Sequence, residues 1–131
     1  MSTLQVATIK SASSAAPQFQ NSSGTEKGLL VGAYVSFDGS AGGTNKPIND
    51  SFNVSSVEDN ASAKFTVHFT NSFANANYTM AGTHNAMSDG VSIVAEDGSN
   101  TTNAGQYSLI TTVYNGGANP SIVRALFIGD I

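Results

Sequence analysis

Polar and apolar residues alternate along several stretches of this chain, and a period of two is the mark of strands with one face buried. In "LLVGAYVSF", residues 29–37, Leu29, Val31, Ala33, Val35 and Phe37 share one face, and Leu30, Gly32, Tyr34 and Ser36 share the other. "KFTVHF", residues 64–69, sets Phe65, Val67 and Phe69 inward and Lys64, Thr66 and His68 outward. "SFNVSSV" precedes it, and the turn-like "EDNASA" between the two runs predicts an antiparallel hairpin. Further strands are expected at Tyr78–Gly82, Gly90–Ala95, Tyr107–Tyr114 and Ser121–Ile128, separated by loops such as "EDGSNTTNAG" and "NGGANP". No stretch combines a helical period with caps, and β-branched residues are common throughout. Short strands spaced about ten residues apart predict an all-β fold, an antiparallel β-sandwich of jelly-roll-like form.

Two segments depart from simple alternation. The last expected strand, "IVRALFI", is apolar on both faces, with Val123, Ala125 and Phe127 on one and Ile122, Leu126 and Ile128 on the other, interrupted by Arg124. Such a strand is either covered on both sides or turned toward another subunit. Near the amino terminus, "TLQVATIK" places Leu4 and Val6 on one face and Ala7 and Ile9 on the other, which reads as one short strand. The connector "SASSAAPQFQNSSGTEKG" has Phe19 as its one large apolar side chain, too little to form a core. An isolated strand leaves a row of backbone donors and acceptors open, so it is expected to pair with the main domain or with another chain. The chain therefore divides into an arm with its connector, residues 1–27, and a sandwich domain, residues 28–131.

Composition narrows the function classes. Charged residues make up 11% of the 131 residues, against roughly 25% in an ordinary soluble domain. Neutral polar residues fill the surface positions instead. The net charge is -4, and the basic residues Lys10, Lys27, Lys46, Lys64 and Arg124 are scattered, so no stripe exists to neutralise phosphates and nucleic acid is not an expected partner. There is no cysteine, which excludes disulfides and thiolate metal sites. "MSTLQVATIKSASSAAP" contains no uninterrupted apolar run, so no secretory signal is expected there, and no segment approaches the roughly 20 apolar residues that membrane insertion requires.

Candidate chemistry is sparse. His68 falls on the polar face of its strand with no patterned carboxylate or second His, and is expected at the surface or an interface. His84 in "GTHNAMSDG" is followed by Asp89, but a triad also needs an activated nucleophile and an oxyanion hole, and no GxSxG elbow is present. The chain therefore reads as non-enzymatic. Glu96, Asp97, Asn100 and Asn103 could offer oxygen ligands to calcium, but they lack the EF-hand spacing, and Asp97-Gly98 is hairpin-turn chemistry. No metal or other cofactor is expected. Sequons such as Asn53-Val54-Ser55 and Asn77-Tyr78-Thr79 arise by chance in so Asn-, Ser- and Thr-rich a chain.

The stretch "SFNVSSVEDNASAKFTVHF", with "AYVSFDG" upstream and "ANYTMAG" downstream, resembles a module of small virion proteins of tailed bacteriophages, notably tail-fibre-like and particle-surface proteins of phages of marine bacteria and cyanobacteria. The start "STLQVATIK" with its Ser-rich connector resembles the beginning of the same proteins. The resemblance implies a non-enzymatic virion structural protein, assembled in the host cytoplasm and located in the virion. It implies a short homotrimeric fibre-type surface protein anchored through Leu4, Val6 and Ile9, with other virion proteins as partners. In that role Asp97, Asn100, Asn103, Asn115 and Asn119 would contact a host-surface glycan or protein. A capsid-decorating cement protein that staples shell subunits is the alternative. A stand-alone carbohydrate-binding module ranks lower, because it would need exposed aromatic platforms and the chain has no Trp.

Overall fold

The period of two is realised over residues 33–37 and 65–69, where every second residue is buried. The computed structural model describes residues 19–20, 23, 26–28, 31–86, 92–113 and 116–131. Its strands are β1 (Phe19–Gln20), β2 (Glu26–Gly28), β3 (Val31–Phe37), β4 (Ile48–Phe52), β5 (Val54–Ala61), β6 (Lys64–Phe69), β7 (Thr79–His84), β8 (Ile93–Glu96), β9 (Gln106–Val113), β10 (Gly116–Gly117) and β11 (Val123–Ile128). No helix occurs among the described residues.

One sheet has the order β4-β3-β11-β7; the other runs β10-β9-β6-β5, with β8 also paired to β9. Every pairing is antiparallel, and β1 and β2 pair with each other. Hairpins lie within a sheet (β3–β4, β5–β6, β8–β9, β9–β10), and the connections β4–β5, β6–β7, β7–β8 and β10–β11 cross between sheets. The two sheets face one another as an all-β antiparallel sandwich, the fold the strand spacing predicts.

The inward sets read from the alternation meet in the middle. Ala33, Val35 and Phe37 of β3 and Val123, Ala125 and Phe127 of β11 face Phe65, Val67 and Phe69 of β6 and Leu109 of β9, all of them buried. The sheets interlock through edge-to-face rings, Phe37 on Phe65 at 5.2 Å and Phe69 on Phe127 at 5.1 Å. Phe73, Tyr78 and Tyr107 extend that cluster at one end of the core. Burying a side chain of this size contributes about 1.5–3 kcal/mol before entropy is charged against it.

Four local expectations are corrected. Val31 does not share the face of Ala33: the register of β3 on β11 shifts between Phe127 and Ile128, so Ile128 pairs with Val31 and Val31 turns out to solvent. Gly32 is buried in its place because a Cβ there would lie 2.5 Å from the Phe73 ring. "SFNVSSV" is not one strand. It breaks at Asn53, whose φ of 55° carries the chain from one sheet to the other, a left-handed conformation that Asn tolerates better than most residues. "EDNASA" is mostly strand, and the turn is the pair Ser62–Ala63. Thr66 faces outward as expected yet is buried, because the 97–105 loop folds over that face and the Thr101 carbonyl accepts a bond from the Ser108 hydroxyl beside it. The expectations that fall on Leu4, Val6, Ile9, Leu29, Leu30, Asp89, Tyr114 and Asn115 lie outside the described residues.

Candidate functional site

The outer face of the β4-β3-β11-β7 sheet departs from the neutral polar character of the rest. Register sets its side chains in rows across the strands. One row runs Phe52, Tyr34, Leu126, Ala81; the next runs Asp50, Ser36, Arg124, Thr83. Ile128 and Val31 pair beyond Leu126. Phe52 is 51% exposed and Val31, Tyr34, Leu126 and Ile128 about 40%, so the patch is contiguous and uncovered, a pattern that marks interaction surfaces on monomeric domains. The doubly apolar β11 is thus covered on its inner face by the core and left open on its outer one.

Large and small residues are segregated on this face. At the β4 side, Tyr34 and Phe52 stack with ring centroids 6.4 Å apart and planes at 23°. The Tyr34 hydroxyl donates to Asp50 Oδ2 at 3.3 Å, and that carboxylate, ahead of burial, holds the phenol above its ordinary pKa. Toward β7 the side chains shrink to Ala81 and Thr83, and a hollow of about 450 Å³ opens between them, Tyr34, Asp50, Arg124 and Leu126. Gly82, between Ala81 and Thr83, lies in the inward row of Ala125, where a Cβ would meet the Arg124 carbonyl at 2.9 Å and Val94 of β8 at 3.1 Å. Arg124 has no ion-pair partner among the described residues. The hollow is mostly apolar with one cation, one carboxylate and a few hydroxyls at its rim, a makeup suited to binding. Its one hydroxyl–carboxylate contact is that of Tyr34 with Asp50.

The residues singled out in the loops do other work. Asp97 is buried and serves its own loop: its carboxylate accepts from the Ser99 N–H at 3.1 Å, the Ser99 hydroxyl at 2.6 Å, the Asn100 amide and Lys64 Nζ at 3.1 Å. Ser99 first, then Asn100 and Lys64, holds this carboxyl well below the usual range despite its burial. A group so occupied is a structural staple of its loop. Asn103 caps the same loop through Gly105, and its carbonyl accepts the Tyr78 hydroxyl at 2.9 Å. Asn119 lies in a separate loop, where its side chain accepts the Ala63 N–H at 2.6 Å and clamps the β5–β6 turn. Asp97, Asn100 and Asn103 are therefore neighbours in one loop, and Asn119 is not gathered with them.

The histidines are equally local. His68 lies half-buried beside Glu58 at 3.2 Å. His84 is buried, with Nε2 at 3.0 Å from the Thr112 carbonyl of the opposite sheet. Among the described residues no group of His, Cys, Asp and Glu is placed to hold a metal ion.

Sequence patterning missed the sheet face as a site and missed Lys46. That lysine is buried, paired with Asp59 at 2.5 Å, donating to the Ala41 carbonyl and lying over the Phe65 ring. The signal for the sheet face was available in the double apolarity of "IVRALFI", but Phe52 and Asp50 join it only through the β3–β4 register. Compared with known protein families, with curated proteins and with solved structures, the chain finds no match.

Proposed function

We propose that this chain is a non-enzymatic structural protein of a bacteriophage particle, a short fibre-type surface protein that self-associates and presents its sandwich outward. The single observation that supports the self-association is the uncovered apolar face of the β4-β3-β11-β7 sheet, where Val31, Tyr34, Phe52, Leu126 and Ile128 make up five of the six exposed large apolar side chains among the described residues. Such a face is costly to leave in water and is stabilised by a partner. The phage assignment rests on the resemblance in residues 2–10 and 32–82. Three copies, with the arm through Leu4, Val6 and Ile9 attaching them to the particle, is the assembly that resemblance implies. A carbohydrate-binding role is the second reading, favoured by the exposed Tyr34–Phe52 pair beside a hollow.

Gold-labelled antibody against the purified chain, applied to particles of the phage that encodes it, tests the assignment. Label on the tail or on projecting fibres is the expected result. Label spread over the shell would favour the cement alternative, and unlabelled particles would remove the virion role.

A further inference from the structure

The hollow of the open sheet face carries charge of both signs. In the row Asp50, Ser36, Arg124, Thr83 a carboxylate and a guanidinium stand on either side of one small residue, their strands two spacings of about 4.8 Å apart. They form no ion pair with each other. All four residues line the hollow, and the next row gives it apolar walls in the Tyr34 ring and Leu126. Phe52, stacked against Tyr34 from the β4 side, braces that ring. A carboxylate has about four acceptor positions, of which the Tyr34 hydroxyl takes one in Asp50. A guanidinium has about five donors, and those of Arg124 are engaged in no ion pair among the described residues.

We infer that the hollow binds one neutral pyranose unit of a polysaccharide, with adjacent hydroxyls bridging Asp50 and Arg124 and the apolar face of the sugar ring against Tyr34. This rests on the carbohydrate-binding reading above and names the sugar class and the residues that hold it. A sugar hydroxyl both donates and accepts, so neighbouring hydroxyls satisfy the acid and the base together without bringing a charge of their own. An anionic sugar would suit Arg124 but would lie against Asp50, on a chain of net charge -4. A cationic one would be set against Arg124. The volume of about 450 Å³ falls within the roughly 300–1,000 Å³ of small-ligand sites. Glycoside cleavage uses a pair of carboxylates and the hollow has one, so the sugar is held and released unchanged. Val31 and Ile128 lie on the far side of Leu126 from Arg124, so the apolar end of the face and the hollow are separate places on it.

Affinity electrophoresis of the full-length chain tests the site, in gels holding galactomannan or dextran as neutral polysaccharides or polygalacturonate as an acidic one, each read against a gel without polysaccharide. Circular dichroism and sedimentation check the fold and mass of every variant. At least one neutral polysaccharide should retard the wild type, and polygalacturonate should not. Asp50, Thr83 and Arg124 are exposed, so changing them should not disturb the core. Asp50→Asn and Arg124→Gln each weaken a charge-assisted bond to the sugar and should raise the dissociation constant about tenfold or more. Thr83→Trp, which fills the hollow without altering charge, should abolish retardation. Asp130→Asn makes the same change of charge as Asp50→Asn at an exposed residue outside the hollow, and should leave retardation as it is.

Retardation that survives all three hollow variants would overturn this site while leaving carbohydrate binding in place. Retardation by polygalacturonate that is lost in Arg124→Gln would overturn the neutral class and assign the hollow to a carboxylated sugar. A wild type that none of the three polysaccharides retards would overturn the site and the carbohydrate-binding reading together.

Discussion

Asn53 and Asn71 hold each other in a two-way grip: the Asn53 side-chain oxygen accepts the Asn71 N–H at 2.7 Å, and its amide donates to the Asn71 carbonyl at 3.0 Å. The same amide reaches the Gly32 carbonyl at 3.0 Å. Asn53 is the point where the chain leaves one sheet for the other, so these bonds tie β3, the β4–β5 crossing and the segment after β6 into one joint. Asn53→Gly keeps the left-handed backbone and loses the three side-chain bonds, a cost of about 2 kcal/mol. Asn53→Ala adds the left-handed penalty of about 1–2 kcal/mol. Urea denaturation should rank wild type above Gly and Gly above Ala; equal Gly and Ala midpoints would mean the φ of 55° is not held in solution.

The β6 alternation should appear directly in stability. Phe65→Ala removes a ring that is fully buried across the sheet interface and should cost about 3–5 kcal/mol. His68→Ala loses a partly exposed pairing with Glu58 and should stay within about 1 kcal/mol. Denaturant midpoints in the reverse order would show that β6 presents its other face to the core.

Asp97 makes stability depend on acid. Its carboxyl ionises at lower pH in the fold than in the unfolded chain, so its contribution is present above about pH 4 and is lost as pH falls further. Asp97→Asn should lower the urea midpoint at neutral pH and flatten the decline between about pH 5 and about pH 2. An unchanged acid limb in the variant would assign the pH dependence to other carboxylates.

Tyr78 acts at the opposite end of the pH scale. Its hydroxyl donates to the Asn103 and Gln106 carbonyls, at 2.9 and 2.8 Å, and burial, ahead of Tyr107 and Glu96, pushes the phenol above its ordinary pKa. The neutral form is favoured in the fold, so stability should fall as pH rises past about 10, where the unfolded phenol ionises. Tyr78→Phe should cost about 1–3 kcal/mol at neutral pH through the unpaired carbonyls and should weaken the alkaline decline. Thermal melts at both pH values separate the two effects.

Removing residues 1–26 should leave the sandwich folded, because β1 and β2 pair only with each other among the described residues. Matching β-sheet circular dichroism of the full chain and of a version starting at Lys27 is the expected outcome. An unfolded truncation would make the arm part of the domain.

The strands with one buried face were legible in the sequence. Phe65, Val67 and Phe69, and Val123, Ala125 and Phe127, are buried as their alternation requires, because burial on one side imposes the period directly. What escaped depends on contacts between distant segments. Thr66 looks like a surface residue until the 97–105 loop covers it, and Lys46 reads as a surface charge until Asp59 meets it inside. Asn53 was the nearest miss, for an Asn between two strand-like halves is a plausible left-handed hinge. The candidate site illustrates the same limit: Leu126 and Ile128 announced an open face, whereas the acid, the base and the hollow converge only through the pairing of β4, β3, β11 and β7.

The place of β11 governs when the protein can fold as it is made. It lies between β3 and β7, paired along its length with both. Until residues 123–128 have cleared the ribosome, β3 and β7 have a vacant position between them, and the inner faces of Phe37 and Phe65 are not enclosed. The nascent chain must carry these apolar strands exposed until β11 has been made, during which pairing with a neighbouring nascent chain competes with waiting. A ribosome-bound chain halted after His84 should accordingly be digested readily by protease. Resistance should come abruptly once β11 emerges.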